Sequence, residues 1–305
     1  MKHLLKIMDL STEEITEILN LADQLKYEQK HGIKHHHLEG KTLGMIFQKS
    51  STRTRVSFEV GMYQLGGSAL FLSSRDLQIG RGEPVEDTAR VLSRYLDGIM
   101  IRTFAQQEVD DLAKYGSIPI INGLTDYAHP CQVLADLMTV REYKGKLEGL
   151  KMCYIGDGNN MANSLIVGGI KMGMEVGVAT PKAHQPAADV VEFAKGNGGF
   201  TLTEDVFEAA KDADVIFTDV WASMGQEGEA DERRKLFESV YQINDKLLSV
   251  AKKDAMVQHC LPAHREEEIA AAVFEAHQNE IYDEAENRLH AQKAVMVKLM
   301  AGKQQ

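Results

Sequence analysis

Short apolar runs alternate with helical patterns along almost the whole chain, and that alternation leaves few folds open to it. Runs of strand length lie near residues 42–47, 69–72, 98–101 and 118–121, with a second series near 151–155, 175–179, 200–203, 215–218 and 255–259. Around them, apolar residues recur at helical spacing near 11–29, 53–65, 85–95, 107–114, 131–144, 160–172, 185–196, 204–210, 244–252 and 265–277. A final helical pattern over 285–302 has no strand of its own. Such alternation predicts parallel sheets covered by helices on both faces. A chain of 305 residues fits two domains of roughly 150 residues each. The expected architecture is therefore α/β, with two doubly wound domains and a site in the cleft between them. The break between the two series falls at Lys144-Gly145-Lys146-Leu147-Glu148-Gly149, which divides the chain into 1–145 and 146–284. The last helix, 285–305, is expected to pack back onto the first domain.

In open α/β sheets, ligands bind beyond the carboxyl ends of the strands, and the residues with chemistry to offer follow strands here. Ser50-Ser51-Thr52-Arg53-Thr54-Arg55 follows the first run and opens a helix. Free N–H groups, hydroxyls and two guanidinium forks at a helix N-terminus suit a phosphate. A well-capped helix with a solvated basic pair would use the same residues. Arg102 follows Gly98-Ile99-Met100-Ile101, and His129-Pro130-Cys131-Gln132 opens a helix after Ile118–Asn122. In the second series, Gly156-Asp157-Gly158-Asn159-Asn160, Asp219 and His259-Cys260-Leu261-Pro262 each follow a strand. Gly156 and Gly158 raise a dinucleotide-binding turn as a rival, but Met161 stands where a third small residue belongs, and no acid ends the next strand.

A net charge of −11 excludes nucleic acid as a natural partner, since phosphate backbones need basic stripes. No apolar run reaches the roughly 18 residues of a membrane span, and Met1-Lys2-His3-Leu4-Leu5-Lys6 is too short an apolar start for a secretory signal. The three cysteines, Cys131, Cys153 and Cys260, form no CxxC pair, which suits a reducing, cytoplasmic setting. The triplet His35-His36-His37 lacks ligand partners at metal spacing and reads as a solvated loop. No metal and no organic cofactor are expected.

Four motifs in order carry a resemblance: Ser51-Thr52-Arg53-Thr54-Arg55, His129-Pro130-Cys131-Gln132, Asp219-Val220-Trp221-Ala222-Ser223-Met224-Gly225 and His259-Cys260-Leu261-Pro262, with a closing Glu284-Ala285-Glu286-Asn287-Arg288. Over essentially its whole length the chain resembles the aspartate/ornithine carbamoyltransferase family. The resemblance implies transfer of a carbamoyl group from carbamoyl phosphate to the side-chain amine of L-ornithine, giving L-citrulline and phosphate through a tetrahedral intermediate. It implies that residues 1–145 bind carbamoyl phosphate and 146–284 bind ornithine. Ser51, Thr52, Arg53 and Thr54 would hold the phosphate, with further contacts from Gln78 and Arg288. Arg102 and His129 would donate to the carbonyl oxygen as charge develops on it. Gln132 and the backbone at Cys260 and Leu261 would orient the carbamoyl NH2. For ornithine, Asp219 would accept the α-ammonium, and Asn160, Ser223 and Met224 would meet the carboxylate. Asp219 and Cys260 would take part in deprotonating the attacking amine. Gly225 would suit a loop closing over the substrate. The family builds trimers with shared sites, so the loop carrying Gln78 is expected to serve a neighbouring subunit in a homotrimer or a multiple of trimers.

Within the family, an aspartate-specific enzyme would be expected to carry a lysine in the loop around residues 76–84, and none is present. Putrescine has no α-carboxylate for the Ser223-Met224-Gly225 segment, and an N-acylated ornithine would make Asp219 a poor partner. A non-catalytic carbamoyl phosphate-binding protein is the reading from another class, but Arg53, His129 and Cys260 are all retained.

Overall fold

The computed structural model describes residues 1–222 and 230–302, with only the backbone at residues 80, 81, 230 and 231. The chain begins with α1 (Thr12–Lys30), β1 (Thr42–Phe47), α2 (Thr52–Gln64), β2 (Ser68–Ser73), α3 (Val85–Leu92), β3 (Gly98–Arg102), α4 (Gln106–Tyr115), β4 (Ile120–Leu124) and α5 (Pro130–Lys144). It continues with β5 (Lys151–Ile155), α6 (Asn160–Lys171), β6 (Glu175–Ala179), α7 (Ala188–Asn197), β7 (Phe200–Thr203), α8 (Val206–Ala210) and β8 (Val215–Thr218). After residues 223–229, α9 (Ala230–Phe237), α10 (Asp245–Leu248), β9 (Met256–His259), α11 (Ala271–Ala276) and α12 (Gln278–Met300) complete it.

The strands form two wholly parallel sheets, ordered β2-β1-β3-β4 and β7-β6-β5-β8-β9. In each, the chain first builds outward on one side and then crosses to the other. The crossing points lie between β1 and β3 and between β5 and β8, where a crevice forms beyond the strand ends. Two compact units result, Met1–Ala135 with the chain from Asn287 on, and Asp136–Glu286. The division falls inside α5, earlier than the Gly145–Gly149 turn. The reason is visible in the partners of the second half of α5. Tyr143 Oη donates to Asp283 at 2.5 Å and Lys144 Nζ to Asp254 at 2.8 Å, both in the second unit.

Local chemistry explains the elements. Ser11 closes a reciprocal capping box, its hydroxyl accepting from Glu14 N at 3.1 Å while the Glu14 carboxylate accepts from Ser11 N at 3.0 Å. The buried stripe of α1 is Ile15, Ile18, Leu19, Ala22 and Leu25. In the second unit, Cys153, Ile155, Ile216 and Val257 pack one sheet face against Ala209, Phe237 and Phe274. The opposite face comes so close to α6 that a Cβ on Gly169 would lie 2.8 Å from Val176. Each fully buried aliphatic side chain contributes about 1.5–3 kcal/mol, so these faces supply most of the drive to fold.

Several boundaries differ from the sequence reading. β4 runs Ile120–Leu124 rather than 118–121, because Pro119 has no N–H and because Leu4 pairs alongside, with Asn122 N donating to Leu4 O at 2.7 Å. α11 starts at Ala271, not 265, since Glu266 turns left-handed (φ 68°) and Glu268 is buried beneath the turn. α9 escaped notice because its charged sequence buries one large apolar anchor, Phe237. α12 starts at Gln278, well before 285, in a polar stretch whose carboxylates have structural work. Glu280 accepts from Val257 N at 2.8 Å and Glu284 from His259 N at 3.0 Å, along the outer edge of β9. Four helical residues rise about 6 Å and two strand residues about 6.7 Å, so one helical turn matches the spacing of outward N–H groups. A sheet edge is thereby closed to other strands. Among the described residues, no helix is long and apolar enough to cross a membrane.

The second half of α12 packs within the first unit. Lys293 is fully buried there, donating to Gln64 Oε1 at 3.0 Å and facing His35 Nε2 at 3.1 Å. The His35 ring, expected in a solvated loop, is buried instead, and its other nitrogen lies 2.9 Å from Ile33 O. Desolvation holds Lys293 at about 8, against 10.5 for a free lysine, while Glu28 pulls the other way. The folded state therefore binds fewer protons than the unfolded state between those two values, and stability rises with pH across that window. Relative to Lys293→Met, the wild-type chain should gain up to about 3 kcal/mol between pH 8 and 10.5 in urea unfolding. Parallel pH profiles for the two proteins would contradict the buried ammonium.

Candidate active site

The crossing point of the first sheet collects cationic and hydroxyl groups. β1 and β3 lie side by side with Phe47 opposite Arg102, and the chain beyond β1 stays attached, Gln48 N donating to Arg102 O at 2.9 Å. α2 then opens with Ser51 as N-cap, its hydroxyl accepting from Thr54 N at 3.2 Å and donating to Thr54 Oγ1 at 3.1 Å. Thr54 Oγ1 also accepts from Arg288 Nη2 at 3.1 Å, so its own proton is free to point elsewhere. Arg288 Nη1 donates to Gln132 Oε1 at 2.8 Å. With its oxygen turned to the guanidinium, Gln292 accepts from Arg288 Nε at 3.3 Å and Nη2 at 3.0 Å. A residue that reads on sequence as an exposed member of a charged helix is thus buried and aimed by three polar side chains.

Arg102, His129, Gln132 and Arg288 are all buried, Arg53 is half-buried, and Thr52 is exposed. His129 sits just before α5, and burial pushes its imidazolium form well below the usual histidine range, helped by Arg288, Arg102 and Arg53. A neutral imidazole among guanidiniums can donate one N–H without adding to the positive charge. Gln78 is exposed on a 3-10 turn (Gln78–Arg81), and no hydrogen bond among the described residues ties its side chain to this group.

The second sheet's crossing point collects acceptors. Asp219 ends β8 with Oδ1 accepting from Val220 N at 2.8 Å and from the Cys260 thiol at 3.1 Å. Its Oδ2 accepts from Asn159 Nδ2 at 2.9 Å. Asn159 is also the N-cap of α6, accepting from Met161 N and Ala162 N, and Asn160 is the buried first residue of that helix. Burial pushes the Cys260 thiol well above the usual cysteine range, reinforced by Asp219, Glu284 and Asp136, so it is a protonated donor at neutral pH. The sequence named Asn160 but not Asn159. The missed signal was an N-cap residue one position ahead of the helix.

Cys260 and Leu261 are held by a buried frame behind them. Leu261 N donates to His259 Nδ1 at 2.9 Å, which leaves His259 Nε2 to carry the proton and donate to Glu268 Oε1 at 2.9 Å. His264 N donates to the same oxygen at 2.6 Å. Leu261 itself is left-handed (φ 58°) and precedes a cis proline, Pro262. No sequence spacing marks Glu268 as the partner of His259. His264, Glu267 and Glu268 offer ligand atoms within 4.8 Å of one another. Arg234 engages Glu267, and Glu268 serves His259, so protein partners already account for that cluster. Trp221 packs as expected, stacked on Phe237. Ser223, Met224 and Gly225 lie outside the described residues.

Comparison with known proteins matches both halves. The family model for the aspartate/ornithine carbamoyltransferase carbamoyl-P binding domain fits residues 2–142, and that for the Asp/Orn binding domain fits residues 148–299. The chain is 57% identical over 302 residues to an ornithine carbamoyltransferase of Oceanobacillus iheyensis, covering 97% of this chain and 94% of that protein. It is 55% identical over 306 residues to an ornithine carbamoyltransferase of Thermococcus kodakarensis, covering 99% and 97%. The solved ornithine carbamoyltransferase from Pyrococcus furiosus superimposes with a TM-score of 0.94 at 54% identity, over 99% of this chain and 97% of that one. On these matches and its two parallel sheets, the chain belongs to the aspartate/ornithine carbamoyltransferase family.

Proposed function

We propose that this protein transfers the carbamoyl group of carbamoyl phosphate to the side-chain amine of L-ornithine, releasing L-citrulline and phosphate. The observation that carries this reading is the neutral His129 set among Arg53, Arg102 and Arg288 beside an α2 N-terminus. Those groups suit a phosphate dianion joined to a carbonyl. Ser51, Thr52, Arg53 and Thr54, with the first N–H groups of α2, bind the phosphate through charge-assisted hydrogen bonds. Arg102 and His129 donate to the carbonyl oxygen, whose negative charge grows as the amine adds to the carbon. Gln132, whose amide oxygen Arg288 holds, and the Cys260 and Leu261 carbonyls receive the carbamoyl NH2. Collapse of the tetrahedral intermediate breaks the bond to the phosphate oxygen, and phosphate leaves with the electron pair.

The second substrate follows from the acceptors. Asp219 offers a carboxylate to the α-ammonium of ornithine, with Asn160, Ser223 and Met224 on its carboxylate. The amine must lose a proton before it attacks. Cys260 is a thiol donating to Asp219, so the carboxylate rather than a thiolate is the group that draws that proton away. The high identity to relatives described as ornithine carbamoyltransferases supports ornithine over putrescine or an N-acylated ornithine.

The active assembly is a homotrimer or a multiple of trimers in the cytoplasm, in which Gln78 serves a neighbouring copy. Support comes from exposed apolar side chains on α2, Val56, Val60 and Tyr63, and from exposed Phe71 of β2, on which Arg55 of α2 stacks. The free state of Cys131, Cys153 and Cys260 suits a reducing compartment.

Purified protein given carbamoyl phosphate should make citrulline from ornithine far faster than it carbamoylates putrescine, aspartate or N-acetylornithine. Absence of turnover with every amine, despite saturable carbamoyl phosphate binding, would overturn the reading. Arg53→Ala should lose at least about a hundredfold in kcat/KM for carbamoyl phosphate, about 3 kcal/mol. Asp219→Asn should raise the KM for ornithine and leave carbamoyl phosphate binding close to wild type. The same substitution removes a negative charge beside Cys260, so iodoacetamide should alkylate that thiol faster at pH 8. Cys131 and Cys153, pushed up to about 12 by burial, should stay unreactive in the folded protein.

A further inference from the structure

Asp157 lies at the end of β5, beside the crossing point, and no step of the proposed reaction uses it. Its side chain is buried, yet it holds two basic partners: Arg233 Nη1 donates to Oδ2 at 2.8 Å, and His184 Nδ1 lies 3.2 Å from Oδ1. Arg233 Nη1 also donates to Trp221 O at 3.2 Å, two residues beyond Asp219. The His184 ring meets Phe237 edge-on at 5.4 Å. The Asp157 carboxylate therefore joins the ends of β5 and β8, the turn after β6, and α9.

The turn it anchors delivers groups to Asp219. Asp157 O accepts from Tyr154 Oη at 2.9 Å and from Asn159 N at 2.7 Å. Gly158 N donates to His184 O at 2.8 Å, and a Cβ on Gly158 would stand 2.3 Å from that oxygen, so no other residue fits there. Asn159 leaves this turn with its Nδ2 on Asp219 Oδ2, and Asn160 follows at the helix start. Burial raises the Asp157 carboxyl above the usual range and Asp219 adds to this, while Arg233 and His184 oppose it. Backbone hydrogen bonds alone would hold a turn. A buried carboxylate costs several kcal/mol unless it is paired, and here both of its oxygens are paired.

We propose that Asp157, clamped by Arg233 and His184, is a positioning residue for the amino-acid substrate: it sets the β5–α6 turn and the Trp221 carbonyl so that Asn159 and Asn160 flank Asp219 correctly. The proposal rests on the ornithine reading above. It predicts a defect toward one substrate, because Asp157, His184 and Arg233 belong to the same unit as Asn159, Asn160 and Asp219.

The test is steady-state kinetics of Asp157→Asn with each substrate varied separately, alongside equilibrium binding of carbamoyl phosphate alone and the thermal midpoint. The expected result is a rise of about tenfold or more in the KM for ornithine, a smaller fall in kcat, and carbamoyl phosphate binding within about twofold of wild type. Arg233→Met should repeat the ornithine defect, and Arg233→Lys should recover part of it, which keeps the test open if the Asp157 variant folds poorly. An unchanged ornithine KM in folded variants, or equal weakening toward both substrates with a lowered midpoint, would mean the clamp is structural and overturn the proposal. A wild-type protein that turns over another amine but not ornithine overturns the functional reading first, and this one with it.

Discussion

Charge taken out of water must be answered by charge or by hydrogen bonds, and that requirement organises both halves of this protein. Arg102, Arg288, Asp157, Asp219, Glu268, Glu284 and Lys293 are all buried. An unpaired ion in such surroundings costs several kcal/mol, more than most single contacts return. Each acidic member is answered by a donor: Asp157 by Arg233, Asp219 by Asn159 and the Cys260 thiol, Glu268 by His259, and Glu284 by an edge N–H of β9. In the first unit, Arg288 donates to the neutral oxygens Thr54 Oγ1 and Gln132 Oε1. Burial first, and then Arg288, Arg102 and Arg53, hold the His129 imidazolium form well below the usual histidine range.

Parallel topology decides where this charge can gather. All strands of a sheet end on the same side, and the two changes of direction, at β1/β3 and β5/β8, open that side to ligands. The residues found there are themselves held in place by buried polar partners. His259 and Glu268 hold the Leu261 turn, and Gln292 and Gln132 hold the Arg288 fork. Preorganisation of this kind lets donors act without reorienting when charge develops.

One helix serves both units by different means. The first turns of α12 present Glu280 and Glu284 to the edge of β9, while its second half buries Lys293 and Arg288 in the first unit. Its pattern of Glu, Asn, Arg and Lys reads as a solvated surface, which is why the sequence reading began it too late. Polar residues in a helix carry no mark of whether water or another element answers them.

Period and punctuation made most of the fold legible. β5, β6 and β8 lie where their apolar runs put them, because strands buried on both faces need continuous apolar stretches whatever surrounds them. The hydroxyl-arginine turn at 50–55, the acid at Asp219 and the His259–Leu261 segment stood out for a similar reason, since each combines unusual chemistry with a strand end. Tertiary structure alone decided the rest: that His35 is buried against Lys293, that Asn159 reaches Asp219, that Glu268 supports His259, and that Asp157 faces Arg233. Those pairings join residues 9 to 258 positions apart. Sequence periodicity reports which side of a local element meets the core, and it holds no information about which distant polar group waits there.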